Sequence, residues 1–383
     1  MVSPNPIAAT IILIFGLQAL VLSVLLLLKR PKRQSNFFLA LVLFFFALMT
    51  VNISMGNFLF SYELVHVFRY FQLELLFGIG PALYFFTKSI TDPDYRFSKK
   101  EYFHFLPVVL EFIFYRTEIY RHGSNSLSQT PMHQFTIVYL VEQWLGILSI
   151  SVYVLLSVRL LIKYRKWIKS KYSNLENKSL GWLRTPVFIY SGYWIAWTII
   201  TQVDHFVFQY AYKEYYFLPA NIVLAIITTW IGFKGYVKSQ TDSPGFQKAS
   251  LKTEQVPTHP EEAKKITELM NTKKPYLNPD LNLQKLSELS GMNLKKISRI
   301  INQELRMNFY EFVNKHRVEE FKLRMQQPGR DQLTLLGHAF ECGFNSKSTF
   351  NHIFKKYTNQ TPRQYYLKFK NESERMHSDV WNT

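Results

Sequence analysis

The chain has 383 residues, enough for two or three domains, and a formal net charge of +18. Its single cysteine, Cys342, excludes an internal disulfide and any metal site built from several cysteines. The charge is shared by two unlike halves. Residues 1–241 carry 22 Lys+Arg, 11 Asp+Glu and most of the aromatics, whereas residues 242–383 carry 23 and 16. A basic half that is also apolar fits a membrane protein with anchoring cations, and a basic polar half fits a nucleic-acid partner.

From the N-terminus, Ile7 to Leu28 is free of charge and long enough to cross ~30 Å of hydrocarbon. No cation precedes it and no small-x-small cleavage site follows, so it reads as a retained span rather than a signal peptide. "KRPKR" follows directly, which places the N-terminus outside. Six more apolar segments follow at about Phe37–Leu59, Tyr70–Ile90, Tyr102–Tyr115, Thr136–Ile162, Pro186–Phe208 and Phe217–Phe233. The loops assigned inside by this alternation hold fifteen Lys and Arg. The outer ones hold only Arg69, Arg116, Arg121 and Lys213. This asymmetry predicts seven spans with the C-terminus in the cytoplasm. The shortest segment, Tyr102–Tyr115, contains Pro107 and Glu111, but deleting it would put the C-terminal half outside.

Glu74, Glu111, Glu142 and Asp204 lie within these segments, each in the half nearer the outside. Ionisable groups in spans turn toward partners, so the four predict a polar pocket for a small-molecule or protein signal at the outer face. Interhelical hydrogen bonds are the structural alternative. The third inner loop, "KYRKWIKSKYSNLENK", interleaves cations with Tyr164, Trp167 and Tyr172. It reads as an anchor on anionic headgroups, with a nucleic-acid patch as the alternative.

Residues 239–260 contain three prolines and no periodicity, and read as a flexible linker. A helix begins near Glu261. In "LQKLSELSGMNLKKISRIINQEL", Gly291 ends a helix built on Leu283, Leu286 and Leu289. Asn293 caps the next, whose Leu294, Ile297, Ile301 and Leu305 face inward while Lys295, Lys296, Arg299, Asn302 and Gln303 face out. The device recurs in "AFECGFNSKSTFNHIFKKYTNQTPRQYY". There Gly343 stops a helix, Asn345 or Ser346 caps the next, and a third helix begins on Pro362. Phe350, Ile353, Phe354 and Tyr357 share one arc, opposite Lys347, Ser348, Asn351, His352 and Lys355. Ile297, Ile300 and Ile301 correspond to Phe350, Ile353 and Phe354 at an offset of 53 residues, an internal repeat of a helix-turn-helix. Asn308 to Met325 reads as one helix of about 27 Å between the copies. Successive major-groove segments on one face of DNA lie ~34 Å apart, so the two outer faces are spaced for duplex DNA.

Residues 262–370 resemble the DNA-binding domain of the AraC/XylS family of bacterial transcription regulators. "GFNSKSTFNHIFKKYTNQTPRQYY" carries its Gly-Phe-x-Ser-x-x-x-Phe-x-x-x-Phe-Lys run followed by Thr-Pro-x-x-Tyr, and "LSELSGMN", Arg299 and "NKHRVEEFK" match the first half. The resemblance implies base-reading positions at Lys295, Ser298 and Arg299, then at Lys347, Ser348, Asn351 and His352. Arg306 and Asn359 stand where that family commonly has glycine, and His352 where arginine is frequent. Lys355, Lys356 and Arg363 are expected to meet phosphate.

The chain therefore reads as all-α, with a seven-helix transmembrane bundle (1–238) and linker (239–260). A seven-helix AraC-type domain with two helix-turn-helix units (261–370) and a polar tail (371–383) complete it. Expected partners are double-stranded DNA, the lipid bilayer, an outer-face signal and a second copy in a homodimer. The expected location is the bacterial cytoplasmic membrane. No phosphate loop, zinc-protease motif or nucleophile elbow is present, and the histidines do not have metal-ligand spacing, so no catalytic residue, cofactor or metal is expected. A membrane transporter or enzyme with a regulatory appendage is the competing reading.

Overall fold

A computed structural model describes residues 6–58, 75–92, 94–113, 136–176, 178–209, 211–238, 260–327 and 332–368. Among them no strand occurs, and the all-helical expectation holds. The helices group into two compact units. One is Met1–Tyr164 with Leu180–Gln247, and the other is Arg165–Ser179 with Lys248–Thr383. The segment 165–179, expected to belong with the membrane part, thus packs with the C-terminal helices.

The first unit contains α1 (Pro6–Leu28), α2 (Gln34–Phe58), α3 (Leu76–Thr91), α4 (106–113), α5 (Thr136–Lys171, as far as Tyr164), α6 (Gly181–Phe208) and α7 (Lys213–Lys238). By length and composition, four described helices can cross a membrane, in the stretches Thr10–Leu28, Gln34–Val51, Trp144–Lys171 and Tyr215–Lys238. α1 packs closely on α2, where Thr50 Oγ1 lies 2.1 Å from the position a Cβ on Gly16 would take. The buried stripe of α2 (Phe38, Leu39, Leu43, Phe46) faces this core. Outward positions are as apolar as inward ones: Ile14, Leu148 and Ile195 are each more than half exposed. Such helices satisfy their backbone internally and suit a solvent of lipid.

The segments expected as spans three and four differ from simple spans. α3 has 16 residues, and residues 59–74 lie outside the described ones. Tyr102–Tyr115 begins inside a tight 3-10 stretch, Lys99–Phe105, opened by a capping box between Ser98 and Glu101. α4 then starts with Pro107 in its first turn, where a missing N–H costs nothing. Residues 114–135, the linker 239–259 and the tail after Lys368 also lie outside the description.

The second unit holds α8 (Pro260–Lys273), α9 (Leu283–Ser290), α10 (Leu294–Arg299), α11 (Phe309–Gln326), α12 (Leu335–Glu341), α13 (Lys347–Thr358) and α14 (362–368). It has two hydrophobic cores. In the first, Ile266, Leu283, Leu286, Ile297, Ile300 and Ile301 pack on Phe309, Phe312 and Val313. In the second, Cys342, Phe344, Phe350, Ile353 and Phe354 pack on Val318, Phe321 and Met325. α11 thus gives its N-terminal half to one core and its C-terminal half to the other.

Two leucines depart from the expected core. Leu289 is 45% exposed, because each step of three along a helix turns 60° short of a full circle, leaving it well off the Leu283 stripe. Leu294 is exposed because it is the first helical residue and its side chain points back past the core. After Arg299 the helix widens to a π turn over Ile300–Glu304, closed by Leu305 N–H donating to Ile300 O at 3.1 Å.

Candidate nucleic-acid interface

Each unit of the repeat is built by the same local chemistry. Gly291 (φ 67°) and Gly343 (φ 89°) follow α9 and α12 in the left-handed region that glycine enters cheaply. Gly343 is needed for space as well: an added Cβ would lie 2.4 Å from Tyr276 O and 2.9 Å from Leu277 O. Next comes a side-chain N-cap. Asn293 Oδ1 accepts from Lys295 N–H at 2.9 Å, and Ser346 Oγ accepts from Thr349 N–H at 3.3 Å.

The 53-residue offset extends beyond the recognition helices. Arg306 (φ 51°) and Asn359 (φ 57°) are both left-handed. The N-caps Asn308 and Thr361 each carry a reciprocal box, with Glu311 and Gln364 respectively. The non-glycine residues therefore keep the backbone turn that the repeat requires.

These caps fix which side chains face out. Lys347, Ser348, Asn351, His352 and Lys355 of α13 are all exposed, while Phe350, Ile353 and Phe354 are buried. In the first helix-turn-helix Lys295 is exposed, and Ser298 and Arg299 are half-buried. Asn302 Nδ2 donates to Ser298 O at 2.6 Å, which ties one polar position to its own helix. The repeat thus presents two outward faces of hydrogen-bonding groups among cations, the chemistry that base edges and phosphates require.

The cations are not equivalent. Lys347, Lys355 and Arg363 are exposed with no ion-pair partner among the described residues. Lys356 pairs with Glu311 at 2.6 Å, and Lys296 pairs with Glu262. The hydrogen bond from Lys356 holds the Glu311 carboxyl below its ordinary pKa. A phosphate contact by Lys356 must therefore compete with this carboxylate.

One feature of the unit was not foreseen. Arg317, on α11, is 1% exposed and has no carboxylate in hydrogen-bond contact among the described residues. Its Nε donates to Tyr276 O (2.8 Å) and its Nη2 to Asn278 O (2.9 Å). Asn314, fully buried, lies one turn earlier and donates to Tyr310 O and Ser173 O. Burial lowers the Arg317 pKa to about 10, so it remains a cation at neutral pH. Its place on the apolar stripe of α11, four residues before Phe321, was the available signal. Cys342, also buried, has its thiol pushed up to about 12 by burial and is a core residue.

Of the four carboxylates expected in an outer pocket, two can be described. Glu111 Oε1 accepts from Leu76 N–H (2.9 Å) and Oε2 from Phe77 N–H (3.3 Å), at the start of α3. Asp204 accepts from Tyr212 N–H (3.0 Å) and Tyr216 Oη (2.8 Å). Both hold helix ends within the first unit. Glu74 and the side chain of Glu142 lie outside the described residues.

Residues 283–358 thus define a duplicated helix-turn-helix module. Residues 286–367 match the family described as a helix-turn-helix domain. An uncharacterized HTH-type transcriptional regulator of Staphylococcus aureus (strain COL) is 33% identical over 90 residues, 24% of this chain and 12% of that protein. An uncharacterized HTH-type transcriptional regulator of Haemophilus influenzae is 30% identical over 86 residues, 22% of this chain and 28% of that one. The matched part is therefore a small share of each relative. No solved structure matches the chain.

Proposed function

We propose that this protein is a sequence-specific DNA-binding transcriptional regulator held in the bacterial cytoplasmic membrane. The observation that carries the DNA reading is the pair of outward polar faces, repeated at one offset and joined by the 18-residue α11. In this reading Lys295, Ser298 and Arg299 read bases in one major groove. Lys347, Ser348, Asn351 and His352 read them in the next, and Lys355, Lys356 and Arg363 meet phosphate. The exposed apolar sides of the four membrane-length helices support lipid as the first unit's solvent. With the N-terminus outside, the C-terminal module meets the chromosome, and the membrane helices receive an outer-face signal. Glu111 and Asp204, committed to helix ends, would support such a site rather than bind the ligand. A homodimer would add affinity through paired sites.

DNase footprinting of the full chain in detergent tests the DNA reading: protection of two half-turns on one face of the duplex is expected. Uptake of radiolabelled solutes by cells expressing residues 1–241 tests the transporter alternative, and no uptake is expected. Alkaline phosphatase fused after Phe233 should be inactive. An active fusion would place the module in the periplasm and end this reading.

A further inference from the structure

The segment Arg165–Ser179, where α5 ends and the chain turns toward α6, belongs to the C-terminal unit. It is seated there by buried polar bonds. Ser173 is 1% exposed; its N–H and Oγ both donate to Leu281 O, at 3.3 and 2.5 Å. The same Oγ accepts from Arg317 Nη2 at 3.3 Å, and Ser173 O accepts from Asn314 Nδ2 at 3.2 Å. Tyr172 and Asn282 form an isolated antiparallel bridge beside it. Lys169 lies over the ring of Tyr310 at 5.7 Å. Arg317 and Asn314 are the polar pair of α11 that separates the two cores. Residues 165–179 thus occupy a site built from the one helix that both helix-turn-helix units share.

We propose that residues 165–179 form a strap by which α5 controls the DNA-binding module, so that displacing Ser173 from Arg317 and Asn314 changes DNA occupancy. The proposal deepens the regulator reading and rests on it. α5 is one continuous helix of 36 residues, so a shift along its axis is delivered at Lys171, two residues from Ser173. Buried polar groups left without partners are costly, so Arg317 and Asn314 have a seated and an unseated arrangement rather than a continuum. A signal that favours one arrangement needs no force through residues 239–259. The buried Ser173 and the half-buried Lys169 and Lys171 give the segment a protein seat, while Arg165 and Lys166 stay exposed.

The test uses the full chain in membranes, with a specific protease site inserted within 239–259. With Tyr172→Cys and Asn282→Cys together, oxidation should keep the two cleaved fragments joined on a non-reducing denaturing gel. Either single variant should release them. Separation of the fragments in most double-variant molecules would overturn the strap. In a second arm, chromatin immunoprecipitation of the tagged full chain measures occupancy of its own genomic sites. Ser173→Trp should change occupancy at least about fivefold at equal membrane level. If its level falls, Ser173→Ala should shift occupancy in one direction by a smaller factor. Unchanged occupancy in the variant that accumulates normally would overturn the proposal. Asn351→Ala reads the DNA assignment alone and the crosslink reads the strap alone, so the two failures are distinguishable.

Discussion

Arg306 and Asn359 occupy the same left-handed backbone position, φ 51° and 57°, 53 residues apart in two copies of one motif. Glycine takes that conformation without the cost a Cβ adds. Arg306→Gly should therefore stabilise the C-terminal unit by about 1 kcal/mol, and Asn359→Gly by less, because asparagine tolerates the region. Pulse proteolysis of the full chain in urea, following the C-terminal fragment, would measure both.

The two stop glycines separate strain from crowding. Gly291 has nothing within 4 Å of an added Cβ, so Gly291→Ala should cost only the φ strain, roughly 1 kcal/mol. Gly343→Ala must also displace the carbonyls of Tyr276 and Leu277 and should cost clearly more. Equal losses for the two variants in the same proteolysis assay would contradict the close approach at Gly343.

Much of this module was legible from sequence, because its signals are local. Asn293, Ser346 and the two stop glycines act within one turn of themselves. The stripes of Ile297, Ile300 and Ile301 and of Phe350, Ile353 and Phe354 follow from helical period alone. Asn308–Met325 was foreseen as one helix for the same reason. The π turn after Arg299 and the seat of Ser173 beside Arg317 were not foreseen. The first is a choice between hydrogen-bond registers that side chains barely mark. The second joins residues more than a hundred positions apart, which no local pattern encodes. In the N-terminal half, hydropathy found the long helices but not the tight 3-10 opening of Tyr102–Tyr115, which begins at Lys99 under a capping box of Ser98 and Glu101.

The second core rests on aromatic contacts. Phe354 is fully buried, with its ring centroid 5.3 Å from Phe321 in edge-on geometry. Phe354→Ala should cost about 3–5 kcal/mol through lost burial and the cavity left behind. Collapse of α13 should follow, detected as loss of amide exchange protection across Lys347–Thr358.

His316, against Phe312 and stacked on Tyr276, has its pKa lowered to about 4, first by burial and then by Lys315. Its neutral form is favoured by folding, so its contribution is complete above the unfolded value near 6.5. That contribution should decline as pH falls from about 6.5 toward 4, where the unfolded chain binds the extra proton. His316→Gln should flatten stability against pH across this window, measured by urea titration at stepped pH.

The outward faces predict two kinds of binding loss. Arg299→Ala or Asn351→Ala should cost roughly 1–3 kcal/mol and relax preference at one base pair. Lys355→Ala should weaken all sequences alike and reduce the salt slope by about one. Lys356→Ala should do less than Lys355→Ala, because Glu311 already holds its ammonium. Gel-shift titrations of the full chain at several salt concentrations would distinguish these outcomes.

The division of α11 between two cores has a consequence for how the protein is degraded and how it changes. A protease cut inside this helix removes a wall from both hydrophobic interiors at once, so no single-unit survivor should persist. Inserting even one residue there would twist one half against the other by 100° and misalign its buried stripe. The separation of the two helix-turn-helix motifs is therefore inherited as a fixed gauge, open to change only by whole turns.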